Sequence, residues 1–314
     1  MTQTDEPGVV PTESGQSLVD AVPELAGLAQ VEATSFRQVP GAHLTLDDIV
    51  ALSEHLTAAA NEFDGFVVTQ GTDTLEETAF ALDVLWGGAA PIVVTGAMRN
   101  PTLPGTDGPA NLMAAVTVAC CDAARDTGCV VVLGDEVHAA RMVQKRHTTR
   151  PSAFESPGGG PIGAVSEGAV HLWATPRRVR LPAMPRRPVP DVALLRLTLG
   201  DAGGLLNAVV AGGYRGLVVE AFGGGHVNPP VAAALAELAE QMPVVLASRT
   251  GAGPGLTATY GFPGGEIDLL GRGLIPGGVW DGLKARILLS FALAAGVQRD
   301  ALASLFATSS TSDT

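Results

Sequence analysis

The sequence predicts an α/β fold of two domains, a larger N-terminal parallel-sheet domain followed by a smaller C-terminal α/β domain. Three observations carry that expectation. Short aliphatic runs alternate with helix-length segments, the rhythm of parallel strands joined by crossover helices. The runs are apolar at nearly every residue, as in strands covered on both faces. Finally, 314 residues exceed one domain of roughly 150, and a proline-dense stretch interrupts the pattern after its first half.

In chain order the strand-like runs are Gly65-Phe-Val-Val-Thr69, Pro91-Ile-Val-Val-Thr95, Cys129-Val-Val-Val-Leu133, Gly216-Leu-Val-Val-Glu220 and Pro243-Val-Val-Leu-Ala247. Thr45 to Glu62, Leu75 to Trp86, Pro109 to Asp126, Pro230 to Met242 and Leu283 to Gly296 have helical length and apolar spacing. Between the two sets lies Pro182-Ala-Met-Pro-Arg-Arg-Pro-Val-Pro190, whose four prolines suit neither helix nor central sheet. The expected organisation is therefore residues 1–181, a linker over 182–190, and residues 191–314. The first residues, Met1-Thr-Gln-Thr-Asp-Glu-Pro-Gly, are polar turn-formers with no expected strand, and Thr308 to Thr314 is an expected frayed tail.

Composition narrows the function classes. Lys and Arg number 19 against 32 Asp and Glu, a net charge of −13, with 46% apolar residues. That profile fits an acidic, core-forming chain and disfavours nucleic-acid binding through a broad basic surface. Cys120, Cys121 and Cys129 are too closely spaced for a disulfide framework or a zinc site, and read as small core residues of a reduced, cytoplasmic chain. The first residues do not read as a secretory leader and no apolar run reaches membrane length, so a soluble, cytoplasmic chain is expected. Of the six histidines none sits in an i,i+4 pair flanking a Glu, so no metal is expected. A dinucleotide Gly-x-Gly-x-x-Gly, a phosphate loop and a Gly-x-Ser-x-Gly elbow are all absent, and no cofactor is expected.

Ligands of open α/β sheets bind beyond the carboxyl ends of strands. After the first strong strand comes Thr69-Gln-Gly-Thr-Asp-Thr-Leu-Glu-Glu77, with hydroxyls and a carboxylate at a helix start. By itself this segment reads as a capping box, Asp73 or Thr74 with Glu76 or Glu77 three residues on. Thr95-Gly-Ala-Met-Arg-Asn100 and Asp107-Gly-Pro-Ala-Asn-Leu112 follow the next strand, as a βα loop and a proline-started helix. Gly134 to Thr149 concentrates charge, either as a solvated loop or as the setting for Lys145 as a proton acceptor, held near a hydroxyl and partly desolvated. Gly-rich strand ends recur at Val219 to Asn228 and Ala247 to Gly255.

Taken in order, these motifs resemble the bacterial L-asparaginase family, the threonine-dependent amidohydrolases. The resemblance rests on Asp64-Gly-Phe-Val-Val-Thr-Gln-Gly-Thr-Asp-Thr-Leu-Glu-Glu-Thr78, Pro91-Ile-Val-Val-Thr-Gly-Ala-Met-Arg99, Asp107-Gly-Pro-Ala-Asn111, His138-Ala-Ala-Arg-Met-Val-Gln-Lys145 with Thr148-Thr149, and Lys284-Ala-Arg-Ile-Leu-Leu289. It implies a two-domain asparaginase-like fold, usually assembled as a homotetramer of intimate dimers whose sites are completed by a neighbouring subunit. It implies hydrolysis of the side-chain amide of L-asparagine, with L-glutamine as the competing substrate. Thr72, Asp73 and Lys145 would be catalytic; Gly71, Thr72, Asp73, Ala97 and Gly41 would hold the substrate.

Three departures from the family's pattern stand out. Gln70 replaces a common His. The loop that usually offers Ser to the substrate carboxylate maps to Pro40-Gly-Ala-His43, leaving that task to backbone amides or His43. The family's opening Thr-Gly-Gly-Thr string, whose second threonine is a leading nucleophile candidate, occurs nowhere in the sequence. The expectation that follows is a start codon placed too late and impaired catalysis by the chain as written. Competing readings are a non-catalytic binder of acidic amino acids and, weaker still, a subunit of a tRNA-dependent amidotransferase.

Overall fold

The computed structural model describes residues 2–3, 9–10, 13–101 and 103–307; the expected tail at 308–314 lies outside them. The chain packs as two compact units, Met1–Arg180 and Leu181–Thr314.

The first unit opens with β1 (Thr2–Gln3) and β2 (Val9–Val10), paired antiparallel, which corrects the expectation of a strandless start. A short helix α1 (Gly15–Asp20) and the longer α2 (Leu46–Ala58) follow. Thr45 begins α2 with a reciprocal capping box, its hydroxyl accepting from Asp48 N–H while the Asp48 carboxylate accepts from Thr45 N–H. Next come β3 (Phe66–Thr69), α3 (Leu75–Leu85), β4 (Ile92–Thr95), α4 (Gly108–Ala119) and β5 (Cys129–Leu133), with β3, β4 and β5 parallel. The β4 and β5 runs are buried throughout, as their composition predicts. At the end of the sheet order β3 is half-buried, and Thr69 is exposed, so that run is not covered on both faces.

Beyond β5 the parallel expectation fails. The strands β6 (Glu136–Ala139), β9 (Gly163–Ser166) and β10 (Ala169–Leu172) run antiparallel and complete a six-stranded sheet of order β10-β9-β6-β5-β4-β3, while β7 (Gln144–Lys145) and β8 (Phe154–Glu155) form a separate ribbon. The cause is turn chemistry. Gly134 and Asp135 between β5 and β6 both have positive φ, at 58° and 64°, as do Glu167 and Gly168 between β9 and β10, at 52° and 74°. Two successive left-handed residues reverse a strand in a two-residue hairpin whose twist matches its flanks, so the stretch expected as a solvated loop or as a lysine's setting is first of all a hairpin. Valines from β4, β5 and β6 pack with Ala114, Ala115 and Val118 of α4 to form a core on one face. Cys129 is buried, but Cys120 is exposed, so not all three cysteines are core residues.

In the second unit β11 (Val192–Arg196), β12 (Gly216–Ala221), β13 (Val244–Ser248) and β14 (Ile275–Pro276) are all parallel and adjacent in that order. Residues 182–190 carry no helix or strand, and Arg186 N–H donates to the Ala294 carbonyl. The helices are α5 (Leu206–Ala211), α6 (Pro229–Gln241), α7 (Glu266–Gly271), α8 (Gly282–Ala294) and α9 (Arg299–Ala307). Asn228 and Asp281 cap α6 and α8 through their side chains.

Candidate active site

Parallel pairing of β3 with β4 brings two loops together at one edge of the first unit's sheet. Gln70 N–H extends the ladder by donating to the Thr95 carbonyl at 3.0 Å. Gly96 then sits flush against the first loop. A methyl group placed on it would lie 2.3 Å from the Gln70 carbonyl oxygen and 3.3 Å from Thr72 Cγ2, so any larger residue would force the loops apart. This close approach sets Gly96, the residue before Ala97, against Thr72. The next turn is fixed by Asp107, whose carboxylate accepts from Met98 N–H at 2.9 Å and Arg99 N–H at 2.8 Å. Asn111 binds both sides of the edge, donating to the Gly96 carbonyl and accepting from Gly134 N–H.

Lys145 arrives from the β7–β8 ribbon. Its Nζ lies 2.8 Å from Thr72 Oγ1 and 3.4 Å from Asp73 Oδ1, and its backbone N–H donates to Glu76 Oε1 at 3.2 Å. The lysine side chain is 15% exposed and the Asp73 carboxylate 63%, so the amine is largely withdrawn from water while the carboxylate faces it. Thr72, Asp73 and Lys145 are thus brought together. At the start of α3, backbone N–H groups and the helix dipole favour negative charge on Asp73 or on a bound anion.

The capping-box reading of this segment does not hold. Thr74 occupies the N-cap of α3, yet its side chain makes no capping hydrogen bond. Its hydroxyl is used elsewhere, accepting from Gln70 Nε2 at 3.0 Å and donating to the Gly41 carbonyl at 3.0 Å. That chain of contacts docks the single helical turn Gly41–His43 onto the strand-end loop. A methyl on Gly41 would sit 3.1 Å from the Gly71 carbonyl oxygen and 3.2 Å from Thr74 Oγ1. Gly41 and Gly71 are therefore neighbours. Reading motifs alone missed the structural roles of Gln70, Thr74 and Glu76; their hydrogen-bonding side chains beside the Thr72 motif were the available signal.

Comparison with known proteins fits this geometry. A family model for Asparaginase, N-terminal, matches residues 1–178, and one for the Glutaminase/Asparaginase C-terminal domain matches residues 191–306. The chain belongs to the asparaginase family. It is 36% identical over 307 residues to a probable L-asparaginase of Deinococcus radiodurans, covering 94% of this chain and 92% of that one. With the L-asparaginase of Bacillus licheniformis it shares 32% over 293 residues, 90% of this chain and 91% of the relative. With L-asparaginase 2 of Escherichia coli it shares 32% over 284 residues, 88% and 80%. The two matched asparaginase models together extend through both compact units. Among the described residues no group of three or more His, Cys, Asp or Glu is arranged to hold a metal, and no helix is long and apolar enough to cross a membrane.

Proposed function

We propose that this chain hydrolyses the side-chain amide of L-asparagine to L-aspartate and ammonia through a threonine hydroxyl. The observation that carries the reading is the 2.8 Å contact between Lys145 Nζ and Thr72 Oγ1, with Asp73 beside the same amine. As the free amine, Lys145 accepts the Thr72 proton while Oγ1 attacks the amide carbon. The proton passes to the departing nitrogen, ammonia leaves, and water cleaves the ester to the product acid. Asp73 orients the amine and holds the substrate's α-ammonium. Gly71 and Ala97 contribute backbone contacts, and the Gly41 turn faces the substrate carboxylate. No metal or cofactor takes part.

L-glutamine is the substrate to measure alongside, since one methylene is worth about 1–3 kcal/mol of discrimination. The reading extends to a cytoplasmic homo-oligomer, dimer or tetramer, with no nucleic-acid or membrane partner. Apolar side chains such as Leu199 and Leu205, 96% and 67% exposed, are surface that an assembly would cover. Residues 1–181 and 191–314 are the proposed domains and 182–190 their linker. Light scattering measures the assembly, and limited proteolysis probes the linker.

The decisive assay is ammonia release from each amide by the purified chain and by Lys145→Met and Thr72→Val. Turnover that survives both substitutions would refute the mechanism. Saturable aspartate binding without hydrolysis of either amide would support the binding-protein reading instead.

A further inference from the structure

Lys145 is presented by a ribbon too small to hold itself. Its strand β7 has two residues, and they pair with the two of β8, Gln144 with Glu155 and Lys145 with Phe154. A further contact, Arg146 N–H to the Ala153 carbonyl at 2.7 Å, closes the tip. An isolated hairpin is at best marginally stable in water, so the lysine's position depends on what anchors the ribbon's base.

We infer that His138 is a positioning residue for Lys145, acting through Ser156. Ser156 follows β8 directly, and its Oγ lies 2.9 Å from Nδ1 of His138 on β6, a strand flanked by β5 and β9 within the six-stranded sheet. This bond ties the end of the ribbon to the sheet across residues 139–155. Glu76 grips the other side of the ribbon through Lys145 N–H. Alongside the buried Val143, Ala153 and Phe154, these two bonds set the reach of the amine to Thr72. The inference rests on the proposed role of Lys145 as the proton acceptor.

The surroundings favour a fixed spacer. His138 is 1% and Ser156 6% exposed, and a hydrogen bond sealed from water is both stronger and costlier to lose. Burial holds the His138 imidazole below its usual titration range, and Glu136 acts in the opposite sense. Glu136 Oε2 is 3.2 Å from Nε2. Which partner donates in the His138–Ser156 bond follows the ring's tautomer, and in either tautomer the bond joins β6 to the end of the ribbon. Serine, histidine and carboxylate in this order also describe a hydrolytic triad. With both Ser156 and His138 buried, however, substrate has no access to the hydroxyl, and the arrangement acts through the ribbon.

The test uses His138→Leu, Ser156→Ala, the double variant and His138→Asn, whose amide can serve the Nδ1 position as donor or acceptor. Displacing a catalytic group by about 1 Å can cost on the order of a hundredfold. The expected result is a kcat lowered roughly tenfold to a hundredfold in both single variants, with KM nearly unchanged. The double variant falls no further than the worse single one, and His138→Asn recovers most of the loss.

A second readout does not need activity. The sequence contains just two lysines, and Lys284 is 1% exposed, which makes it an internal reference. Acylation by an N-hydroxysuccinimide acetate, mapped by peptide mass spectrometry, should label Lys145 severalfold faster in His138→Leu and Ser156→Ala as the amine leaves Thr72 and Asp73. Wild-type labelling in both variants, folded by circular dichroism, would overturn the inference, whatever kcat does. Faster labelling in a protein that hydrolyses neither amide would uphold the clamp and reject the amidohydrolase reading.

Discussion

The chain's two lysines sit in the two units and are held in opposite ways. In the first unit Lys145 meets a hydroxyl and a half-open carboxylate supplied by residues 73 and 72 positions away. In the second unit Lys284 is buried, and its Nζ lies 2.8 Å from Asp281 Oδ2, three residues away; the other oxygen of that carboxylate caps α8 by accepting from Lys284 N–H. The same contrast extends to the carboxylates. Glu220, at the end of β12, is buried and paired with Arg196 at 2.5 Å. Glu266 is fully buried and accepts from Thr259 N–H, Tyr260 N–H and His226 Nε2. Asp73, by contrast, faces solvent. A local, saturated ion pair fixes a helix or loop, whereas an amine held against a hydroxyl across the fold is the arrangement that the proposed proton transfer needs.

The sharpest way to break that contrast is to exchange the fates of the two lysines. Lys145→Met is expected to lower kcat/KM by about a thousandfold, roughly 4 kcal/mol, with the urea midpoint nearly unchanged. Lys284→Met is expected to do the reverse, lowering stability by about 3 kcal/mol as Asp281 loses its buried partner, with kcat of the folded fraction retained. Equal losses of activity would erase the distinction.

A smaller effect should appear in acid. Burial alone would raise the Glu266 carboxyl, but the amides of Tyr260 and Thr259 and the His226 ring outweigh it and hold the carboxyl below its usual 4.5. A depressed folded-state pKa contributes stability that is fully present above 4.5 and is lost as pH falls from there through the folded value. Unfolding followed through Trp280 fluorescence, with Trp86 and Trp173 replaced by Phe, should show this loss, and Glu266→Gln should flatten the curve between those limits. An unchanged slope in the variant would remove Glu266 from the account.

Smallest of all should be Gln70→Leu. It removes the donor to Thr74 and loosens the Gly41 turn, at a cost of about 1 kcal/mol. The expected reading is a KM raised about fivefold with kcat little changed. A loss confined to kcat would mean that the turn serves the reacting atoms instead of the substrate carboxylate.

Much of this architecture was legible in the amino acids. The aliphatic runs that became β4, β5, β12 and β13 are found within a residue or two of their expected places, because a strand buried on both faces admits few polar residues. Thr72, Asp73 and Lys145 were legible through motif order, and the structure draws them to one point. The antiparallel half of the first sheet was not legible from periodicity. Its direction turns on the left-handed backbone of Gly134-Asp135 and Glu167-Gly168, and Asp135 and Glu167 give little outward sign of it. Thr74 misled for a related reason: a hydroxyl at a helix start usually caps, and nothing nearby in sequence announces the Gly41 carbonyl that accepts from it.

By itself, then, the sequence determined the alternation of elements, the family and the kinds of side chain available for chemistry, since hydrophobic period, turn residues and motifs act over a few neighbouring positions. Tertiary structure decided the pairings: which lysine meets a hydroxyl and which is sealed into an ion pair, and which serine meets the buried His138. Those choices depend on contacts between residues far apart in the chain, which form only once sheet pairing and close packing have fixed where each strand ends.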